Sequence, residues 1–155
     1  MTVMENDHAQ VKVPPPALML LFILAAFGLD HLFPLPIAGA WLIWMGVILV
    51  GGGLFLAFLA VYRLHAAGTT IEPHGTVTAL VTDGPYHISR NPIYLAYVWI
   101  TVGFPMALGT LWGLVMAPLL ILSLNYFVIR YEEEYLGKKF GGGYDAYKLK
   151  VRRWL

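Results

Sequence analysis

Apolar positions along this chain gather into four stretches set apart by polar segments. The first, Ala17 to Phe33, is opened by Pro14-Pro15-Pro16 and interrupted near its end by Asp30-His31. The second, Ile37 to Tyr62, is long enough to cross a bilayer with tilt, since a crossing takes about 20 residues. The third and fourth form one block, Ile93 to Ile129, broken near Phe104-Pro105 and Gly109-Thr110. Split there, the block yields one short span and one of ordinary length. The pattern predicts an all-α, polytopic membrane bundle of about four transmembrane helices. The first run follows a mixed-charge segment (Glu5, Asp7, Lys12) and three prolines, and no clean small-x-small site comes after it. A retained span is therefore expected there rather than a cleaved leader.

Composition sharpens the class. Of 155 residues, 59% are hydrophobic and 12% charged, and the mean hydropathy is +0.68; a soluble domain is roughly half apolar and a quarter charged. A single buried core cannot absorb that excess in so short a chain. Disorder is excluded by the same hydrophobicity. A net charge of +1 leaves no basic footprint for nucleic acid. The absence of Cys removes disulfides, thiolate metal sites and thiol catalysis together. One integral membrane domain, residues 1–155, is the expected organisation.

The ten Lys and Arg residues set the orientation. Lys12 precedes the first run, Arg63 and Arg90 lie in the middle loop, and Arg130, Lys138, Lys139, Lys148, Lys150, Arg152 and Arg153 follow the last. The two opposite loops carry none. Positive charge stays in the cytosol, so both termini and the middle loop are expected there, with residues 1–16 as a cytosolic N-terminal segment. The inner membrane of a bacterium is the expected location.

Polar residues concentrate in two cytosolic segments, Arg63 to Tyr94 and Arg130 to Leu155. A channel or transporter would place them at the bilayer midplane, where the runs offer mainly Thr101, Ser123 and Asn125. In the middle loop, Gly84-Pro85 signals a turn, and Asn91-Pro92 sets a helix start. Arg90 and Asn91 then stand at the mouth of the third span, where free N–H groups favour an anion; an isolated arginine at a span end also snorkels to lipid phosphates. The second segment opens with Arg130-Tyr131-Glu132-Glu133-Glu134. Glu133 and Glu134 are placed for helical pairing with Arg130. Consecutive carboxylates diverge by about 100°, so at least one is expected to face inward.

Leu136, Phe140, Tyr144, Tyr147, Val151 and Trp154 recur at helical spacing among lysines and arginines. This is an amphipathic interfacial pattern, broken by Gly141-Gly142-Gly143 into two short helices. The glycine triplet reads as a hinge or cap, because no strand precedes it and no Gly-Lys-Ser/Thr follows. His65, His74 and His87 share the middle loop but lack metal-ligand spacing, so no metal is expected.

The two polar segments resemble the isoprenylcysteine carboxyl methyltransferase and phospholipid methyltransferase superfamily of integral membrane enzymes. The resemblance rests on Leu80-Val81-Thr82-Asp83-Gly84-Pro85-Tyr86, on Ser89-Arg90-Asn91-Pro92-Ile93-Tyr94-Leu95 and on Arg130-Tyr131-Glu132-Glu133. It continues through Leu136, Phe140-Gly141, Tyr144 and Tyr147 to Arg152-Arg153-Trp154-Leu155, with a membrane hairpin between the motifs. It covers residues 69–155, which would form the cofactor-binding and catalytic part.

The resemblance implies S-adenosylmethionine as methyl donor, S-adenosylhomocysteine as product, and a cytosolic pocket built from the middle loop and the C-terminal interfacial helices. Tyr86, His87, Arg90, Asn91, Pro92 and Tyr94 would line it from one side, and Glu132 or Glu133 would contact the cofactor from the other. Arg90, Arg130 and Glu133 would be catalytic, with Arg130 orienting the acceptor. Methyl transfer from a sulfonium is an in-line displacement that needs alignment and exclusion of water; aromatic faces such as Tyr86, Tyr94 and Tyr131 favour the cation.

The chain departs from the carboxyl methyltransferase pattern at Asn91, where His is usual, at Thr78, where a His precedes the Leu-Val-Thr stretch, and at Ala96, often Gly. It is also expected to be without the extra N-terminal spans of the eukaryotic enzymes. These departures bear on the prenylated-cysteine substrate rather than on the cofactor. The expected function is methyl transfer to a membrane-embedded or lipid-like acceptor, as carboxyl O-methylation of the isoprenylcysteine type or as phospholipid amine N-methylation. A small non-enzymatic scaffold or transporter subunit is the competing class. The expected partners are membrane lipids and a prenylated or lipid-like small acceptor.

Overall fold

A computed structural model describes residues 9, 11–70 and 75–155; His74 of the histidine trio lies outside them, as do Glu5 and Asp7. Six α-helices carry the described residues: α1 (Pro15–Leu32), α2 (Ala40–Ala66), α3 (Pro92–Ala107), α4 (Trp112–Leu124), α5 (Arg130–Phe140) and α6 (Gly142–Lys150). The molecule is all-helical, and its described residues form no strand beyond one isolated bridge, Pro36 to Thr110. A π-turn, Asn125–Ile129, joins α4 to α5 without a break, so the helix from Trp112 to Phe140 is continuous over 29 residues.

Among the described residues, three helices are long and apolar enough to cross a membrane: Pro15–Leu32, Ala40–Ala66 and Trp112–Phe140. The short third run becomes α3, whose 16 residues rise about 24 Å at about 1.5 Å each. Length and composition thus mark three crossings, with α3 shorter than the rest. Both α1 and α3 begin on proline, which has no N–H to lose at a helix start.

α2 packs on α3, and α1 packs on α4 and α3. The α2–α3 contact depends on small residues. A Cβ on Gly46 would stand 2.4 Å from the Ala107 nitrogen, and one on Gly103 would stand 2.7 Å from the Gly46 oxygen. The outer face of α2 remains exposed at Trp41, Trp44, Ile48, Phe55 and Phe58. Such a band of large apolar side chains matches lipid rather than water.

The polar interruption Asp30-His31 closes one end of the bundle. Asp30 Oδ1 accepts from the Leu35 N–H at 2.9 Å and the Thr110 hydroxyl at 2.7 Å, and Trp112 Nε1 donates to the Phe33 carbonyl at 2.8 Å. These bonds tie the α1–α2 turn to the α3–α4 turn, where Gly109 adopts φ +100°. The core lies toward the other end, where Leu120, Leu124, Val128 and Ile129 pack with Leu18 and Tyr94. Ala9 and Val11 from the N-terminal segment join the same cluster.

Candidate functional site

Where α3 begins, the middle loop, α5 and α6 converge on one cavity of about 140 Å³. Three local devices shape the loop. Gly84 takes φ +58°, and a Cβ there would sit 2.9 Å from Arg63 Nε, so a larger residue meets strain and a clash together. Pro85 then opens a short 3₁₀ turn, Gly84–His87, that turns Tyr86 inward. Pro92 starts α3 behind an Asn91 whose backbone is held out of the helix.

The tail locks this corner from outside. The Arg90 N–H donates to the Arg152 carbonyl at 3.0 Å. The Arg153 carbonyl accepts from the Ser89 hydroxyl at 3.2 Å and from Asn91 Nδ2 at 3.0 Å. Asn91 therefore lines the cavity while its amide ties the chain terminus to the loop.

Ion pairing continues the lock inside. Glu133 accepts a fork from Arg153, with Nε at 3.0 Å and Nη2 at 2.5 Å, and pairs with Arg90 Nη2 at 3.2 Å. The expected helical pairing of Glu133 with Arg130 gives way to these two cross-chain arginines, while Glu134 pairs with Lys138 at 2.6 Å. Arg90 keeps two further nitrogens, Nε and Nη1, buried and without a hydrogen-bond partner among the described residues. Glu132 stands apart: its Oε1 accepts the Tyr94 hydroxyl at 2.6 Å, and among the described residues no cation pairs with it.

Aromatic groups close the cavity on the α6 side. Tyr144 and Tyr147 are buried with Val151 against Leu80, Leu136 and Phe140, and the Tyr147 hydroxyl donates to the Tyr86 carbonyl. The apolar stripe of the tail, read from the sequence as a membrane-surface face, therefore packs on the middle loop. Gly141, at φ +50°, makes the break between α5 and α6, as the glycine triplet indicated. Burial raises the Tyr144 phenol to about 12; the nearby Glu133 charge adds to this, and Arg90 opposes it. Burial also raises Tyr86 and Tyr147. The hydrogen bond to Glu133 raises Arg153.

Of the residues singled out in the sequence, Tyr86, Arg90, Asn91, Pro92, Tyr94, Glu132 and Glu133 all meet at this cavity. Two do not. His87 is exposed at the end of the 3₁₀ turn, because its neighbour Tyr86 takes the inward direction. Arg130 precedes Glu132 by two helical positions, about 200° around the axis. It is exposed and lies 5.1 Å from the rings of Tyr126 and Tyr131.

Arg153, Tyr144 and Tyr147 are the residues that site reasoning from sequence missed. The regular aromatic spacing signalled the tyrosines, whereas Arg153 was hidden within a basic run. The π-turn had no sequence signal. By inserting a residue ahead of α5 it sets which carboxylates face inward, and such turns recur at functional sites.

A family described as phospholipid methyltransferase matches residues 41–143, from α2 through the start of α6. The chain belongs to that family. Among its relatives, an uncharacterised protein of Haemophilus influenzae is 41% identical over 63 residues, covering 41% of this chain and all of that one. The protein-S-isoprenylcysteine O-methyltransferase of Schizosaccharomyces pombe is 35% identical over 72 residues, 46% of this chain and 30% of the relative. That of Saccharomyces cerevisiae is 32% identical over 113 residues, 69% of this chain and 46% of the relative. The chain thus spans less than half the length of either yeast enzyme. No solved structure matches it. Family and named relatives together indicate a membrane methyltransferase.

Proposed function

We propose that the protein uses S-adenosylmethionine to methylate a membrane-embedded, lipid-like acceptor. The observation that carries this reading is a pair of unmet, opposite electrostatic demands in one cavity. Among the described residues, Arg90 offers two buried nitrogens, Nε and Nη1, without a hydrogen-bond partner, and Glu132 offers a carboxylate with no paired cation. Unsatisfied buried donors are costly and rare in native interiors. A methionine-derived donor carries a carboxylate for Arg90 and positive charge for Glu132, with Tyr86 and Tyr94 presenting ring faces to that cation. The residues present fit the group.

Bound there, the donor supplies an electrophilic methyl whose departure neutralises its sulfonium. The protein's own contribution is to hold, orient and dry the site. Glu133 fixes Arg90 through one Nη2 contact and leaves Nε and Nη1 for the ligand. The Tyr94 hydroxyl fixes Glu132. Tyr86, Tyr144, Tyr147 and the loop wall of Val77, Ala79 and Leu80 exclude water. In this reading one domain, residues 1–155, carries the site within residues 69–155. Four crossings, with α3 the shortest, leave both termini and the middle loop cytosolic in a bacterial inner membrane, following the one-sided Lys/Arg distribution.

For the acceptor, similarity to two isoprenylcysteine O-methyltransferases supports a carboxylate of the prenylcysteine type, which is ionised at neutral pH and needs no base. A phospholipid amine is the second reading. It is supported by the family match and by Glu132, a carboxylate at the cavity with no paired cation among the described residues, which can take the proton an amine must lose.

Calorimetry on detergent-purified protein tests the donor site, with saturable one-to-one binding of S-adenosylmethionine and S-adenosylhomocysteine expected. Hydrogen bonds to charged groups contribute about 1.5–3 kcal/mol each, so Arg90→Gln and Glu132→Gln should each weaken binding about 10- to 150-fold. No binding by folded protein in both detergent and nanodiscs would return the weight to a non-enzymatic scaffold. Labelled methyl donor offered to prenylcysteine analogues and to total lipid then separates the two acceptors.

A further inference from the structure

Arg130 and Lys12 do not take part in the cavity, yet the fold holds both on one tyrosine. Arg130 lies 5.1 Å from the Tyr131 ring centre and Lys12 Nζ lies 5.4 Å from it; Arg130 also lies 5.1 Å from the ring of Tyr126. Two exposed cations are thus drawn to a shared aromatic group. Among the described residues neither has a carboxylate partner, although Glu133 and Glu134 follow Arg130 at the helical pairing distances. Glu133 is engaged by Arg90 and Arg153, and Glu134 by Lys138. Two cations against one ring repel, and Glu134, an acid that feels the Arg130 charge, is paired with Lys138; an anion drawn to both cations would offset that cost.

Position supplies the anion's identity. From Trp112 to Ile129 the helix rises about 27 Å at about 1.5 Å per residue, close to the roughly 30 Å hydrocarbon thickness. Arg130 therefore stands where that helix leaves the hydrocarbon, at the depth of lipid phosphates. Lys12 stands three residues before α1, which packs against α4, and so reaches the same depth. Tyr126, 58% exposed, sits at the boundary where tyrosines anchor. Lys12 is fixed by its neighbours: Val11 is buried in the core cluster, and the Lys12 N–H donates at 3.4 Å to the Phe127 carbonyl within the π-turn.

We infer that Lys12, Arg130 and the Tyr126–Tyr131 pair form a binding site for the phosphate of an anionic membrane phospholipid. Arg130 supplies a planar donor fork, Lys12 a second charge, and the tyrosines hold both side chains at the phosphate plane. This site is separate from the cavity and does not depend on methyl transfer.

The test is mass spectrometry of lipid adducts on the full chain, released from micelles of mixed phosphatidylglycerol and phosphatidylcholine. Wild type should retain one phosphatidylglycerol in preference to phosphatidylcholine. Each cation near a lipid surface is worth a several-fold factor, so Arg130→Gln and Lys12→Gln should each cut the preference about 5-fold. Arg130→Lys should retain most of it. Lys12 lies outside every helix, so its variant keeps the test valid should Arg130→Gln perturb folding. An unchanged preference in both Gln variants overturns the site. Displacement of the lipid by millimolar inorganic phosphate overturns the membrane source, because the site would then recognise a soluble anion.

Discussion

Replacing Glu133 with Ala removes one side chain from three junctions at once: the middle loop, α5 and the C-terminal tail. Its partners differ in exposure. Arg90 is 12% exposed and Glu133 17%, whereas Arg153 is 40% exposed. Breaking a fully buried pair by deleting one partner costs about 3–5 kcal/mol, and a surface pair contributes about 0–1 kcal/mol. The Arg90 arm lies between these limits, near 2 kcal/mol, because some solvent reaches it. The Arg153 arm adds less than about 1 kcal/mol. Only the Arg153 arm is broken when the tail undocks, so losing its contribution of up to about 1 kcal/mol raises the population of the undocked tail by up to about 5-fold. Hydrogen exchange followed by mass spectrometry on peptides from residues 142–155 reads that population directly. Exchange in Glu133→Ala should accelerate by that factor, with donor binding weakened alongside it because Arg90 loses its anchor. Glu134→Ala, which removes an exposed pair with Lys138, should leave tail exchange unchanged. Equal tail protection in Glu133→Ala and wild type would refute the argument, since the arginine fork would then contribute nothing to docking.

Two further outcomes follow from packing and titration. Gly103→Ala places a methyl 2.7 Å from both the Gly46 oxygen and the Leu49 Cβ; the backbone cannot move aside cheaply, so α2 and α3 must separate. Overpacking of this kind costs about 1–3 kcal/mol, and the thermal midpoint in detergent should fall by several degrees, whereas Gly28→Ala, with open space around it, should leave it in place. Tyr144 has its phenol raised from 10.0 to about 12. The folded state therefore holds this proton more tightly than the unfolded chain does. Its contribution to stability is complete below pH 10 and is lost as pH rises toward 12. Absorbance of tyrosinate should show Tyr144→Phe losing only a late-titrating component, and stability of the wild type should begin to fall above about pH 10.

Much of the site was legible because membrane solvation separates residues so sharply. Gly84-Pro85 and Asn91-Pro92 mark backbone geometry by local chemistry alone, and the structure uses both as a turn and a helix start. Arg90 at the α3 mouth and the Glu132-Glu133 pair after α4 could be expected to face each other, because one precedes and the other follows the two helices of one hairpin. What the sequence could not rank was the competition for partners. Glu133 had Arg130 at helical range and took Arg90 and Arg153 instead, because a π-turn of no sequence signature rotated α5 before the carboxylates. Likewise the tail's apolar stripe fits lipid or protein equally well by periodicity. Its docking on Leu80 and against the Tyr86 carbonyl depended on a loop more than fifty positions away.

The sequence by itself determined the solvent of this protein, its helical class and the ends at which polar chemistry gathers. Those properties depend on local hydropathy, on proline and glycine, and on the one-sided distribution of Lys and Arg, each of which acts within a few residues. Tertiary structure alone decided that, among the described residues, Arg90 retains two unbonded nitrogens and Glu132 has no paired cation while Glu133 has two, and that Arg130 lies outside the cavity against the same Tyr131 ring as Lys12. Each of these is the outcome of a choice among charged partners far apart in the chain, and that choice is made by the angle at which α5 leaves the π-turn.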